Sequence, residues 1–355
     1  MLELAWVDPR PMTHASSDPL PVRLAHAELA VAAAMRATRA VHASAEPLGS
    51  IDKEDRSPVT IADFAAQAIV AISLQESEGP APIRLVGEEQ ADLLKGDAGR
   101  PLLQEVTGIV RLVRPGIAAG AVLDAIAAGA CEPSRDGFWT LDPIDGTKGF
   151  LRRQQYAIAL AWVEGGVPQV GVLGCPHLSA DSRGAVEIAD PVGSLFSASR
   201  GGGAWSIDPR RLDAPRSRIE SAAWTPGDPV VACESVESGH SRQDRSVAVL
   251  ASIGPAGPPI RLDSQCKYAV VARGQAHAYL RLPTRGTYIE RIWDHAAGVV
   301  IAEEAGAVVS DCEGRPLDFG HGRGLERNRG VVAASARLHA RLIEAIAATA
   351  QNAAG

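Results

Sequence analysis

Trp139-Thr140-Leu141-Asp142-Pro143-Ile144-Asp145-Gly146-Thr147 is the stretch on which the reading of this chain turns. An apolar strand, Phe138 to Leu141, runs straight into two aspartates separated by Pro143 and Ile144. Pro143 fixes a turn there, so both carboxylates can converge on one point. Carboxylates so placed repel each other and resist joint ionisation. A hard divalent cation removes that conflict, and oxygen donors suit magnesium. The backbone carbonyl of Ile144 offers a further oxygen. Gly146 and Thr147 follow with backbone N–H groups in a glycine turn, a geometry that receives phosphate.

Two more acidic positions share this context. Glu88 follows a short apolar strand and Gly87; Asp294 follows Trp293 where a helix is expected to start. Each can deliver a carboxylate to the same cleft. With two or more metal ions such a site polarises a phosphate, activates water and stabilises the leaving oxygen, with no need for a serine or cysteine nucleophile. The Thr147 hydroxyl is placed to orient the water. Asp55, in an early acidic loop, is a matching base. Plainer readings compete with each residue alone: Asp-Pro and Asp-Gly often mark only a turn, Asp294 alone is an ordinary helix cap, and Glu89 is expected to be solvated or to support its neighbour. It is their joint occurrence, each at a strand end or helix start, that favours a metal site.

Outward from this centre the pattern divides. Arg23 to Glu46 is alanine-rich with helical spacing. Thr60 and Asp63 form a capping-box-like start for a helix over Ile61 to Leu74. Ile83 to Val86 reads as a strand, and Gly116 to Cys131 as a helical piece in the otherwise poorly patterned stretch Gln90 to Asp136. Tyr156 to Val163 and Val167 to Leu173, joined by Gly165-Gly166, form a β-hairpin. Leu195 to Ser199 and Ala204 to Ile207 form a second. After Pro229 strands and helices alternate: strands at 230–233, 260–263, 278–282, 307–310 and 330–333; helices at 242–253, 267–273, 294–305 and 336–351. The expected organisation is a leader over 1–21, an α+β half with an antiparallel sheet over 22–190, and an α/β half over 191–355.

Composition bounds the function. The chain has 355 residues, 46% hydrophobic and 22% charged, with a net charge of -7. This is a globular composition, and the acidic balance argues against a nucleic-acid partner. No apolar run reaches the roughly 20 residues of a membrane span, and the first 21 residues do not resemble a signal peptide. The five cysteines are scattered without a C-x-x-C pair, so neither a disulfide framework nor a zinc site is expected, and a reducing cytoplasm fits best. The turn Arg200-Gly-Gly-Gly203 lacks the strand–G-x-G-x-x-G–helix context of a dinucleotide site.

Taken in order, Gly87-Glu88-Glu89, Asp142-Pro-Ile-Asp-Gly-Thr147 and Trp293-Asp294-His-Ala-Ala-Gly298 resemble the three-part signature of the inositol-monophosphatase superfamily. The resemblance implies the layered α/β/α/β/α sandwich of the sugar phosphatases, two or three Mg2+ ions held by Glu88, Asp142, Ile144, Asp145 and Asp294, and an attacking water oriented by Thr147 and Asp55. Thr147-Lys-Gly-Phe-Leu-Arg152, Gly239-His240-Ser241, Leu262-Asp-Ser-Gln-Cys-Lys-Tyr268 and Ala278-Tyr-Leu-Arg-Leu-Pro283 are similar to the bisphosphate nucleotidase branch. By that resemblance His240, Ser264, Lys267 and Arg281 contact the nucleotide, and Lys267 and Arg281 neutralise a second phosphate. The implied reaction is removal of the 3′-phosphate of adenosine 3′,5′-bisphosphate, with 3′-phosphoadenylyl sulfate as a second substrate and with inhibition by lithium. An inositol-phosphate phosphatase and a silent bisphosphate-nucleotide binding protein are the alternatives. The expected partner is a small phosphorylated molecule, and the expected state a monomer or homodimer.

Overall fold

The computed structural model describes residues 19–43, 51–52, 58–236, 243–283 and 288–352. Asp55, His240 and most of the expected leader lie outside them. Helix α1 (Pro19–Ala43) is followed by the strand pair β1 (Ile51–Asp52) and β2 (Pro58–Val59), then α2 (Ile61–Glu78). Thr60 caps α2 through a full capping box with Asp63, which satisfies two otherwise orphaned backbone donors.

The first sheet has seven strands: β3 (Leu85–Gly87), β4 (Phe138–Asp145), β5 (Ala157–Glu164), β6 (Val167–Cys175), β7 (Ser194–Ser199), β8 (Gly203–Ile207) and β9 (Ser217–Arg218), paired in chain order. Only β3 and β4 run parallel; the other pairs are antiparallel. Between β3 and β4 lie α3 (Gly96–Arg111) and α4 (Ala119–Ala127). Helix α3 falls in the stretch where the sequence shows little pattern. Pro101 and three glycines interrupt its propensity, yet Val106 and Val110, one turn apart, bury its inner face. Helix α4 is shorter than the expected 116–131.

The second sheet has five strands in the order β11-β10-β12-β14-β13: β10 (Ala232–Glu234), β11 (Ile260–Arg261), β12 (Ala278–Arg281), β13 (Ala307–Ser310) and β14 (Val331–Ser335). Its helices are α6 (Gln243–Ile253), α7 (Cys266–Ala272), α8 (Ala296–Glu304) and α9 (Ala336–Asn352), while the one-turn helix α5 (Thr147–Leu151) follows β4. Strands β7 to β9 continue the first sheet, so the change from one sheet to the other falls between Arg218 and Ala232, downstream of residue 190.

The layers follow from which faces are apolar. Helices α1 and α2 cover one face of the seven-stranded sheet, with Ala30, Val31, Phe64 and Ile69 packed on Leu141, Leu160 and Val172. Helices α7 and α8 fill the space between the sheets, where Val270, Val300 and Ile301 meet Phe196, Leu173 and Ala333. Val249 and Leu250 of α6 and Leu338 and Leu342 of α9 close the outer face of the second sheet. The result is the α/β/α/β/α sandwich that the resemblance implies. Small residues set the spacing: a Cβ on Gly171 would meet Ala297 of α8, and one on Gly174 would meet Val31 and Met35 of α1.

Candidate active site

The decisive stretch is the end of strand β4, and it is bulged. Asp142 pairs with Ala159 and Asp145 with Ala157, so three steps on β4 match two on β5. In a regular strand residues three apart point to opposite faces. One extra residue reverses that, and a bulge re-aims side chains in this way. Pro143, which has no N–H to give to a ladder, sits inside the bulge. The Ile144 N–H turns back to Asp142 Oδ1 at 3.1 Å. Gly146 then takes a left-handed conformation, φ 86°, and starts α5. A side chain there would also press on Ser264. The Thr147 hydroxyl donates to the Ile144 carbonyl at 3.2 Å, which leaves the hydroxyl oxygen free to accept.

Glu88 arrives from the parallel neighbour β3. Its N–H donates to the Leu141 carbonyl at 3.1 Å, tying it to β4. Gly87 is required by a close approach: a Cβ there would lie 2.5 Å from Gln67 Oε1. Gln67 accepts from the Glu89 N–H at 3.0 Å and donates to the Glu89 carbonyl at 2.8 Å. Glu89 is accordingly buried, not solvated. Arg323 braces the same strand end, donating to the Gly87 carbonyl at 2.6 Å while its guanidinium stacks over Trp293. We predict that Gly87→Ala lowers stability by about 1–3 kcal/mol, because Gln67 must abandon part of its bonding. Denaturant unfolding measures this; a loss within a few tenths of a kcal/mol would show that Gln67 yields freely.

The fourth carboxylate, Asp294, ends a 3-10 turn over Ile292–Asp294 that leads into α8. Electrostatics shows the four acids to be one group. Burial, then Glu88, Asp145 and Asp294, push the Asp142 carboxyl well above its ordinary range. Burial and then Asp145 do the same to Asp294. Asp145 is pushed up to about 6, mainly by burial, although Lys267, the Gln265 N–H and Arg281 pull it down. A pocket of oxygens that cannot all ionise by themselves is a site short of positive charge. Hard divalent cations supply that charge to carboxylate and carbonyl oxygens, so Glu88, Asp142, Asp145, Asp294 and the Ile144 carbonyl form a donor set that fits one.

Of the other expected residues, Ser264, Lys267 and Arg281 are among the described ones. Ser264 packs against Gly146 and takes φ 71°, uncommon for a residue with a side chain. Lys267 is buried, with its ammonium donating to the Leu262 carbonyl at 3.3 Å. Burial lowers its pKa, and Asp145 and Asp263 oppose that. Arg281 is gripped by Glu290, Nε to Oε1 at 2.9 Å and Nη2 to Oε2 at 2.7 Å. The structure adds Glu290, which the sequence reading passed over. Glu290, Asp294 and His295 lie close enough to suggest a metal group of their own. However, Glu290 is occupied by Arg281 and by His295 at 3.2 Å, and His295 Nδ1 by the Tyr268 hydroxyl at 2.9 Å. Against the effect of burial, the Arg281 guanidinium and the His295 hydrogen bond hold the Glu290 carboxyl down to about 2. Its charge is already met by Arg281, whereas Asp142, Asp145 and Asp294 are held above the ordinary carboxylate range. The glycine turn at 201–203 is likewise filled from within: Glu304 accepts from the Gly201 and Gly203 N–H groups at 3.0 and 2.9 Å.

Two sheets enclosing helices, with converging carboxylates at a bulged strand end beside a glycine turn, define a phosphatase of the metal-dependent, layered class. The chain belongs to the inositol monophosphatase family, whose family model matches residues 21–351. It is similar to the 3′(2′),5′-bisphosphate nucleotidase of Schizosaccharomyces pombe, 42% identical over 84% of this chain and 86% of that one. A second relative, the 3′(2′),5′-bisphosphate nucleotidase of Oryza sativa, is 37% identical over 94% of this chain and 96% of its own. Among solved structures the Thermotoga maritima IMPase has the same fold, with a TM-score of 0.62 at 16% identity over 93% of this chain and 98% of that one.

Proposed function

We infer that this chain is a magnesium-dependent phosphomonoesterase that removes the 3′-phosphate of adenosine 3′,5′-bisphosphate, releasing AMP and phosphate. The observation that carries this reading is its likeness, over most of both chains, to two proteins named as 3′(2′),5′-bisphosphate nucleotidases. Glu88, Asp142, Asp145, Asp294 and the Ile144 carbonyl hold two or three Mg2+ ions. Bound there, the metal supplies positive charge to the phosphate oxygens and lowers the barrier to ionising water.

The protein's own groups do the rest. The Gly146 and Thr147 N–H groups receive the phosphate. The Thr147 hydroxyl, its hydrogen turned to the Ile144 carbonyl, accepts a hydrogen bond from the attacking water. Asp55 takes the proton from that water. The water oxygen bonds to phosphorus as the bond from phosphorus to the 3′-oxygen breaks, and the leaving 3′-oxygen takes a proton from a solvent water. Lys267 and Arg281 meet the second, 5′-phosphate, and by the family resemblance Ser264 and His240 also contact the nucleotide. Glu290 holds the Arg281 guanidinium in a fixed plane, which suits a planar fork meeting phosphate.

The test is phosphate release from adenosine 3′,5′-bisphosphate, 3′-phosphoadenylyl sulfate and inositol 1-phosphate, each with and without Mg2+. Mg2+-dependent release from the nucleotides, inhibited by millimolar lithium, is expected. Preference for the inositol ester would move the substrate to the alternative within the family. Release from none of them would overturn the reading.

A further inference from the structure

Gln265 links Asp145 to the backbone on either side of Asp294, and the reaction described for the site leaves it without a role. Its backbone N–H donates to Asp145 Oδ2 at 2.5 Å. Its side chain reaches the opposite way: Nε2 donates to the Trp293 carbonyl at 2.8 Å, and Oε1 accepts from the Gly298 N–H at 3.1 Å. Those two points flank Asp294. One residue therefore holds the carboxylate at the end of β4 and the backbone before and after Asp294.

The surroundings are built for this grip. Ser264 just before it takes a left-handed conformation; such conformations persist where the surroundings enforce them. Gln265 is almost fully buried. Gly298 must lack a side chain, because a Cβ there would run into the Tyr268 ring. A glutamine amide carries its donor and its acceptor on two separate atoms at the end of a long side chain, which is what the Trp293 carbonyl and the Gly298 N–H require. A carboxylate of the same length would set oxygen against the Trp293 carbonyl, and an apolar side chain would leave a buried C=O and N–H unpaired.

We propose that Gln265 is a positioning residue that sets the separation of Asp145 and Asp294 and so tunes divalent metal binding at the acidic cluster. This rests on the reading of that cluster as the metal site. Supporting partners of metal ligands typically contribute 10–100-fold to metal affinity.

The experiment titrates full-length wild-type, Gln265→Met and Gln265→Glu proteins with Mg2+ by calorimetry. It also measures kcat and KM for adenosine 3′,5′-bisphosphate as a function of Mg2+ concentration. Weakening of the metal Kd by about 10–100-fold in Gln265→Met is expected. A matching rise in the Mg2+ concentration for half-maximal rate is expected too, with KM for the nucleotide at saturating Mg2+ changed less than about threefold. If the methionine variant does not fold, Gln265→Glu carries the same test, since it keeps the acceptor for Gly298. A lower melting temperature with metal affinity within twofold of wild type would overturn the proposal and leave Gln265 a purely structural brace. A wild-type protein that takes up no metal would instead overturn the metal-site reading beneath it.

Discussion

Asp145→Asn is expected to reduce kcat by about 10³-fold or more, on the order of 4 kcal/mol of transition-state stabilisation, while the protein stays folded and its metal-free form becomes more stable. The two effects share a cause. Asp145 stands in an acidic group whose members raise one another's pKa. An amide removes one of the repelling charges, and an amide oxygen can still accept the Gln265 N–H that Asp145 now receives. A metal held by this group loses a charged donor, and with it part of the charge that stabilises the reaction. Functional sites commonly give up stability in this way. Steady-state rates together with thermal melts in chelator check both halves. Retained activity with unchanged Mg2+ dependence would remove Asp145 from the metal site. A metal-free melting temperature below wild type would show that Asp145 is structural first.

What was legible in the sequence was what is local. The bulged motif from Trp139 to Thr147, the capping box at Thr60 and the glycine-turned hairpin at Gly165-Gly166 each carry their signal within nine residues. The carboxylates Glu88 and Asp294 were legible because a strand end and a helix start mark them. Residues that work across the fold left no such mark. Gln265 meets Asp145 from 120 positions away. Gln67, in the middle of α2, meets Glu89 from 22 positions away. In sequence each is one more polar residue. Glu290 carries no mark in the sequence; Arg281 and His295 enclose it in the fold, and that enclosure braces Arg281. The sheet membership of β7 was hidden for the same reason: it depends on pairing such as Val170 with Ser199, which hairpin signals alone do not decide. Asp55 and His240 lie outside the described residues, so their roles rest on the resemblance.

The stabilisation conferred by Mg2+ should be larger at pH 8 than at pH 5.5, and metal binding should release protons in between. Asp145 has an ordinary value of 3.8 and is held near 6 in the metal-free fold. Between those values the native state binds more protons than the unfolded chain, so metal-free stability falls as pH rises through that window. The deficit is on the order of 2–3 kcal/mol from this one group, and the upward shifts of Asp142 and Asp294 act in the same direction. A divalent cation requires the ionised carboxylates. At pH 5.5 it must therefore displace protons, and competition at Asp145 alone weakens apparent affinity about fourfold. At pH 8 Asp145 is ionised, the repulsion within the acidic group is greater than at pH 5.5, and the cation relieves it. Melting temperatures with and without saturating Mg2+ at the two pH values measure the difference. Calorimetric titration in buffers of different ionisation enthalpy counts the protons released. Asp145→Asn supplies the control, since it should flatten both the metal-free pH dependence and part of the proton release. An Mg2+ shift of equal size at both pH values, with no proton release, would mean that the acidic group is not where the metal binds.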